Sequence, residues 1–177
     1  TQVTPSSYKS LYHADKGEPV RLIPDSGSIN QLGMIVGNDT VHFGDWTFTP
    51  SAGSLTVLSR DSLVLTAQRG EVAIALVYRF RADDYQIDVS GRAVGLGPVG
   101  GTLLIGMGRG MRQTEADTNA NLYDYGVVTK TDESKLVKFS SLDPGEVLTL
   151  SGPFEWTAVK SKYFVTALLA VDSGAAR

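Results

Sequence analysis

The sequence predicts an all-β fold, and three observations predict it. Short apolar runs follow one another along the chain, separated by turn compositions such as GND, GD, PSAG, RDS and QRGE, the punctuation expected of sandwiches and barrels. Two runs alternate with period two. Leu76, Tyr78 and Phe80 stand against Val77 and Arg79, and Tyr85, Ile87 and Val89 stand against Gln86, Asp88 and Ser90. This is the pattern of a half-buried antiparallel strand. The third observation is that helical periodicity is weak throughout.

Taken in order, residues 1–17 are polar and carry Pro5, Ser6 and Ser7, which reads as an N-terminal arm. Residues 18–177 then read as a single β-sandwich domain. PVRLIP, Pro19 to Pro24, is a short apolar run bracketed by prolines, and Asp25 to Ser28 mark a turn. Strands are expected over Leu32–Val36, Val41–Phe43, Trp46–Thr49, Leu55–Leu58, Leu63–Ala67 and Val72–Phe80. The charged linker RADD, Arg81–Asp84, makes the last of these and the Tyr85–Val94 run a hairpin. Further strands are expected over Thr102–Met107, Leu122–Thr129, Leu136–Phe139 and Val147–Leu150, and in the closing segment Phe154–Val171. QTEADTNA, Gln113–Ala120, is too polar for a core helix and reads as a long loop with at most one turn.

Composition excludes several classes of function. At 177 residues the chain can bury roughly 70% of the surface it exposes when unfolded, so no metal or disulfide staple is needed. There are 16 Lys plus Arg against 19 Asp plus Glu, scattered along the chain, so no concentrated basic face is available for nucleic-acid phosphates. With no cysteine, thiol catalysis, disulfides and cysteine-bound zinc are excluded. The least charged stretch, Ala93–Met107, holds five glycines and a proline and is too short to span a bilayer, which takes about 20 apolar residues. No basic n-region followed by an apolar run marks a signal peptide. The chain therefore reads as soluble, and equally as a soluble piece of a longer protein.

No catalytic or metal constellation stands out. GMGRG, Gly106–Gly110, lacks the following helix that a phosphate-binding turn needs, and its glycines read as positive-φ positions at a strand end. His13 and His42 have no partner at metal-ligand spacing, and the acid pairs Asp83/Asp84 and Asp132/Glu133 read as solvated turn residues. No catalytic residue, cofactor or metal is expected, and the chain reads as a non-enzyme.

One segment carries more information. FEWTAVKSKYFVTALLA, Phe154–Ala170, places a Trp, a few mostly apolar residues and a basic residue before Tyr-Phe, then a small and apolar strand. In Trp156, Lys162, Tyr163, Phe164, Ala167 and Leu168 it resembles the segment that closes the large periplasmic domain of bacterial YidC-type membrane-protein insertases. YKSLYHADKGEPVRLIP (Tyr8–Pro24), YRFRADDYQIDV (Tyr78–Val89) and the glycine-bearing run from Gly101 to Val128 are similar to family segments in the same order.

The resemblance implies a β-supersandwich of two large, mainly antiparallel twisted sheets, of the galactose mutarotase-like type. It implies a non-catalytic periplasmic module of an inner-membrane insertase that docks partners or acts like a chaperone. The partners it implies are the Sec translocon's accessory subunits SecD and SecF, and nascent membrane proteins. Trp156, Lys162, Tyr163 and Phe164 are its signature, with a structural role in which Trp156, Val159, Tyr163 and Phe164 pack the domain's end. The insertase's spanning helices have no counterpart here, so insertion itself would lie outside these residues. The alternative from another class is a carbohydrate-binding or mutarotase-like sandwich, with Trp46 and Trp156 as stacking platforms and His42 as the histidine in a strand.

Overall fold

The computed structural model describes residues 3–5, 7–13, 16–25, 27–98 and 100–171. The chain forms two compact units, one of Gln31–Gly106 and one of Thr1–Asn30 with Met107–Arg177.

The Gln31–Gly106 unit holds two antiparallel sheets. In the smaller, β1 (Gln31–Val36) lies between β2 (Asp39–His42) and β7 (Thr102–Gly106). The register pairs Met34 with Val41 and with Leu103, and Leu32 with Ile105. Because paired residues share a face, these apolar side chains all project from one side of the sheet. A short 3-10 turn at Phe43–Asp45 follows β2 and buries Phe43.

The larger sheet has the order β3-β4-β5-β6, from β3 (Thr49–Pro50), β4 (Arg60–Arg69), β5 (Val72–Arg81) and β6 (Asp88–Val94). Alternation assigns its faces. Leu65 and Leu76, Ala67 with Ile74 and Ala93, and Leu63 with Tyr78 and Val89 share one face, while Thr66, Ala75 and Arg92 lie on the polar one. Ile74 and Ala67 are buried. Pro50, which has no N–H to donate, sits on the outermost strand, where a missing ladder bond costs least.

In the other unit, β8 (Gly126–Lys130), β9 (Ser134–Lys138), β10 (Trp156–Lys160) and β11 (Val165–Leu169) form an antiparallel sheet of order β11-β10-β8-β9. Helix α1 (Thr118–Asp124) precedes β8. The N-terminal segment pairs back on the residues that follow it: the Val20 amide donates to Tyr8, the Leu22 amide to Val3 and the Ser10 amide to Glu18. Val20, Ile23, Ala158 and Val159 are buried, each worth about 1–3 kcal/mol by removal of apolar surface from water. Ser10, Thr114, Asn121, Thr129 and Ser161 are buried with them.

The all-β class and the antiparallel pairing hold, with the strands divided among three sheets of three or four. Several local expectations do not hold. The Leu55–Leu58 and Val147–Leu150 runs form no strand, and Leu58 and Val147 are 89% and 87% exposed. Their apolar residues lack an adjacent strand to pair with, so composition alone does not make them β. Of the Trp46–Thr49 run, only Thr49 is in a strand. Tyr85, expected on the inward face of β6, lies in the preceding loop and is 91% exposed.

Leu122–Asp124 are helical rather than the start of a strand. The helix begins where Asp117 caps it, its carboxylate accepting from the Ala120 amide at 2.9 Å, the N-cap role for which a short acidic side chain is suited. The closing segment is not one strand but a hairpin, β10 and β11, broken at Ser161–Phe164. Within GMGRG the expected positive-φ role is met: Gly108 has φ of 75°, and a Cβ there would lie 2.0 Å from the Ser28 carbonyl oxygen.

Candidate docking surface

The closing hairpin is held by a turn with buried polar anchors. The Ser161 amide donates to the Phe164 carbonyl at 2.8 Å, and the Phe164 amide donates back to Ser161 Oγ at 3.2 Å. From outside the turn, Asn121 Oδ1 accepts from the Lys162 amide at 3.2 Å while its Nδ2 donates to Gln113 Oε1. Asn121 is 1% exposed, so both ends of its amide are matched inside the protein, as burial requires. Tyr8 meets the edge of Phe164 with ring centroids 5.8 Å apart.

A second polar anchor stands at the root of β8. The Tyr125 hydroxyl donates to the carbonyls of Met111 and Arg112, fixing the irregular segment that precedes α1. Burial pushes the Tyr125 phenol up from 10.0 to about 12, because the charged phenolate loses its hydration. The same segment serves the N-terminal residues, with the Thr114 carbonyl accepting from the Leu11 and Tyr12 amides and Arg112 pairing with Asp25 at 2.9 Å.

The signature residues fall into different environments. Trp156 opens β10, paired with Lys130 and Leu169, and is partly buried. Phe164 is partly buried at the turn, whereas Tyr163 is 65% exposed, with Lys162 Nζ 5.3 Å from its ring centroid. Tyr163 therefore presents most of its ring to solvent at the turn rather than packing the domain's end. Asn121, Thr114 and Tyr125, which fix the hairpin and its surroundings, were not legible as site residues. Asn121 lies in a polar run that offers no periodic signal, and its partners are distant in sequence.

The two outer strands of this sheet differ. β9 reads SKLVK, and its lysines project from opposite faces, Lys135 beside Thr129 and Lys138 beside Gly126. β11 reads VTALL, with no charge, proline or glycine. Among the described residues no strand pairs with its outer side. Val165, Ala167 and Leu169 share one face of β11 with Trp156, Ala158 and Val128, and Val165 and Leu169 are 64% and 57% exposed. An uncharged edge strand is a template for main-chain pairing, and lysine is a common means of blocking one. In the other unit β7 (TLLIG) is also an uncharged outer strand, with Leu103 and Ile105 half exposed.

The remaining titratable candidates are local. Asp84 accepts from the Gln86 amide at 2.9 Å and pairs with Arg81 at 3.1 Å. These contacts hold its carboxyl below the usual range, against a smaller opposing effect of desolvation. Arg81 also reaches Asp88 at 3.2 Å, tying the two ends of the β5–β6 loop. Among the described residues no group of three or more His, Asp or Glu side chains is placed to hold a metal ion. His42 is exposed on β2, and His13 lies against Tyr12 with ring centroids 4.4 Å apart.

Among the described residues, antiparallel sheets, a capped helix and an uncharged outer strand define an all-β module. The model of the YidC periplasmic domain matches residues 7–177, and the chain belongs to that family: it is a periplasmic domain of a membrane-protein insertase. Among curated proteins and among solved structures, none matches it. Family membership places the chain on the periplasmic side of a membrane protein, and among the described residues no helix is long and apolar enough to cross a membrane.

Proposed function

We propose that this chain is a non-catalytic docking module that assists membrane-protein insertion, and that an extended polypeptide segment adds to its outer strand β11. The observation that carries this reading is the contrast within one sheet: β9 is blocked by Lys135 and Lys138, while β11 is uncharged and apolar on its exposed face. Strand addition draws affinity from main-chain hydrogen bonds and specificity from alternate side chains. Every second residue of the incoming segment would meet the row formed by Val165, Ala167 and Leu169. The partners we put forward are the periplasmic regions of SecD and SecF and the extended segments of nascent membrane proteins.

The test is site-specific photo-crosslinking from the whole chain. A photoreactive residue at Ala167 is expected to capture the periplasmic region of SecD or SecF, or a translocating polypeptide, whereas one at Lys138 is not. The double variant Val165→Lys/Ala167→Lys should remove capture from a third probe at Leu169. Equal capture from β9 and β11, or capture that survives the lysines, would overturn the reading. Capture from Leu103 on β7 but not from Ala167 would also overturn it, by moving the docking edge to the other unit.

A further inference from the structure

The hydrogen bonds of the closing hairpin fix which main-chain groups of β11 face outward. At one end the Ser161 amide donates to the Phe164 carbonyl, and at the other the Ala170 amide donates to the Glu155 carbonyl. Both pairs follow the register that sets Ala158 beside Ala167. Because bonded and non-bonded pairs alternate along an antiparallel ladder, Thr166 and Leu168 also turn their N–H and C=O groups toward β10. Val165, Ala167 and Leu169 therefore direct theirs to the other side, where no strand pairs among the described residues. Their side chains are exposed as well.

Three outward-facing residues at alternate positions define the strand that fits them best. A second copy of β11 presents the same three, and only one antiparallel alignment uses all of them. With a two-fold axis at Ala167, Val165 lies opposite Leu169 of the second copy, Ala167 opposite Ala167, and Leu169 opposite Val165. An axis at Thr166 or Leu168 leaves one of the three facing a residue outside β11. The side chains agree with this choice. The small Ala167 sits on the axis, and the flanking Val–Leu pairs share one face, as favourable apolar cross-strand pairs do. With no charge in VTALL, no like charges meet.

We infer that β11 pairs with β11 of a second copy of this chain about a two-fold axis at Ala167, closing a dimer through about six main-chain hydrogen bonds, two for each bonded pair. A five-residue edge buries less than the roughly 1,200 Å² of a stable complex, so the dimer is weak and reversible. The inference rests on the docking reading in one respect, that β11 accepts a strand, and adds the regulation of that site. A paired β11 is withheld, so an incoming segment has to displace the second copy.

The experiment is sedimentation velocity of the whole chain from about 20 μM to about 1 mM, the range suited to so small an interface. The mean sedimentation coefficient should rise toward that of a dimer and go no further. Ala167→Lys, which sets two lysines across the axis, should weaken dimerisation at least about tenfold, whereas Leu103→Lys on β7 should leave it unchanged. The chain has no cysteine, so Ser134→Cys on β9 takes a single nitroxide label. Pulsed electron paramagnetic resonance should then give a label separation of roughly seven strand spacings, or about 35 Å. If Ala167→Lys does not fold, that distance decides the matter alone. No rise in sedimentation coefficient, dimerisation that survives Ala167→Lys or is lost in Leu103→Lys, or a separation below about 15 Å, which would put β9 at the axis, would overturn the inference. Capture from Ala167 without dimerisation overturns this inference alone, and dimerisation without capture overturns the docking reading alone.

Discussion

The two outer strands of the β11-β10-β8-β9 sheet have the same length and the same antiparallel pairing, yet they meet their surroundings in opposite ways. β9 carries Lys135 and Lys138 and joins β8 through an exposed turn, where Lys130 Nζ donates to the Thr131 and Asp132 carbonyls. β11 carries no charge, and its turn is anchored by the buried Asn121 amide. The difference teaches that edge protection and turn rigidity are set separately at each side of a sheet. The uncharged edge is also the one whose turn is tied to a buried side-chain amide.

The largest stability effect should come from breaking the firm turn. Asn121→Ala leaves the part-buried Lys162 amide and the Gln113 side chain without their partner and should cost about 2 kcal/mol in urea unfolding. Unchanged stability would show that the hairpin does not depend on this anchor. Next comes the exchange of edge character. Val165→Lys/Ala167→Lys should weaken partner binding at least about tenfold, a loss of roughly 1.4 kcal/mol, measured by titration with the captured partner segment. The converse change, Lys135→Thr/Lys138→Thr, should move stability by no more than about 0.5 kcal/mol yet raise concentration-dependent self-association in sedimentation velocity. A β9 edge that stays inert without its lysines would show that they do not block it.

Tyr125 precedes β8, the strand paired with both β9 and β10, so its titration should not distinguish the two sides. Its folded-state pKa lies above the ordinary value, at about 12 against 10.0. Its contribution to stability is therefore complete below pH 10 and lost as pH rises through 12, because the unfolded chain gives up the phenolic proton first. Stability measured from pH 9 to 12 should fall less steeply in Tyr125→Phe than in the unaltered chain. The loose turn should matter little as well: Lys130→Met should cost less than about 1 kcal/mol in urea unfolding, since the Thr131 and Asp132 carbonyls can turn to water instead.

Much of the strand material was legible in the sequence because alternation and turn chemistry are local. Leu76, Tyr78 and Phe80 share a parity in the sequence, and Leu76 and Tyr78 share a face in the register with Leu65 and Leu63. RADD marks the β5–β6 loop, and Arg81 and Asp84 there form an ion pair. What was not legible depended on distant partners. Leu55–Leu58 and Val147–Leu150 have the composition of strands without a neighbour to pair with. Phe154–Val171 reads as one strand because the residues that fold it back, Ser161 and Asn121, act through hydrogen bonds across 3 and 41 positions.

By itself, the sequence determined the all-β class, the antiparallel hairpins and the family, since each rests on periodicity, turn residues or an ordered set of short motifs. Only the tertiary structure decided that Asn121 anchors the closing turn, that the Trp46 indole N–H is buried without a partner, and that VTALL rather than SKLVK forms the uncharged edge. The physical reason is that burial and hydrogen-bond satisfaction belong to pairs of residues brought together by folding. An edge is likewise a property of strand order, which no single strand encodes.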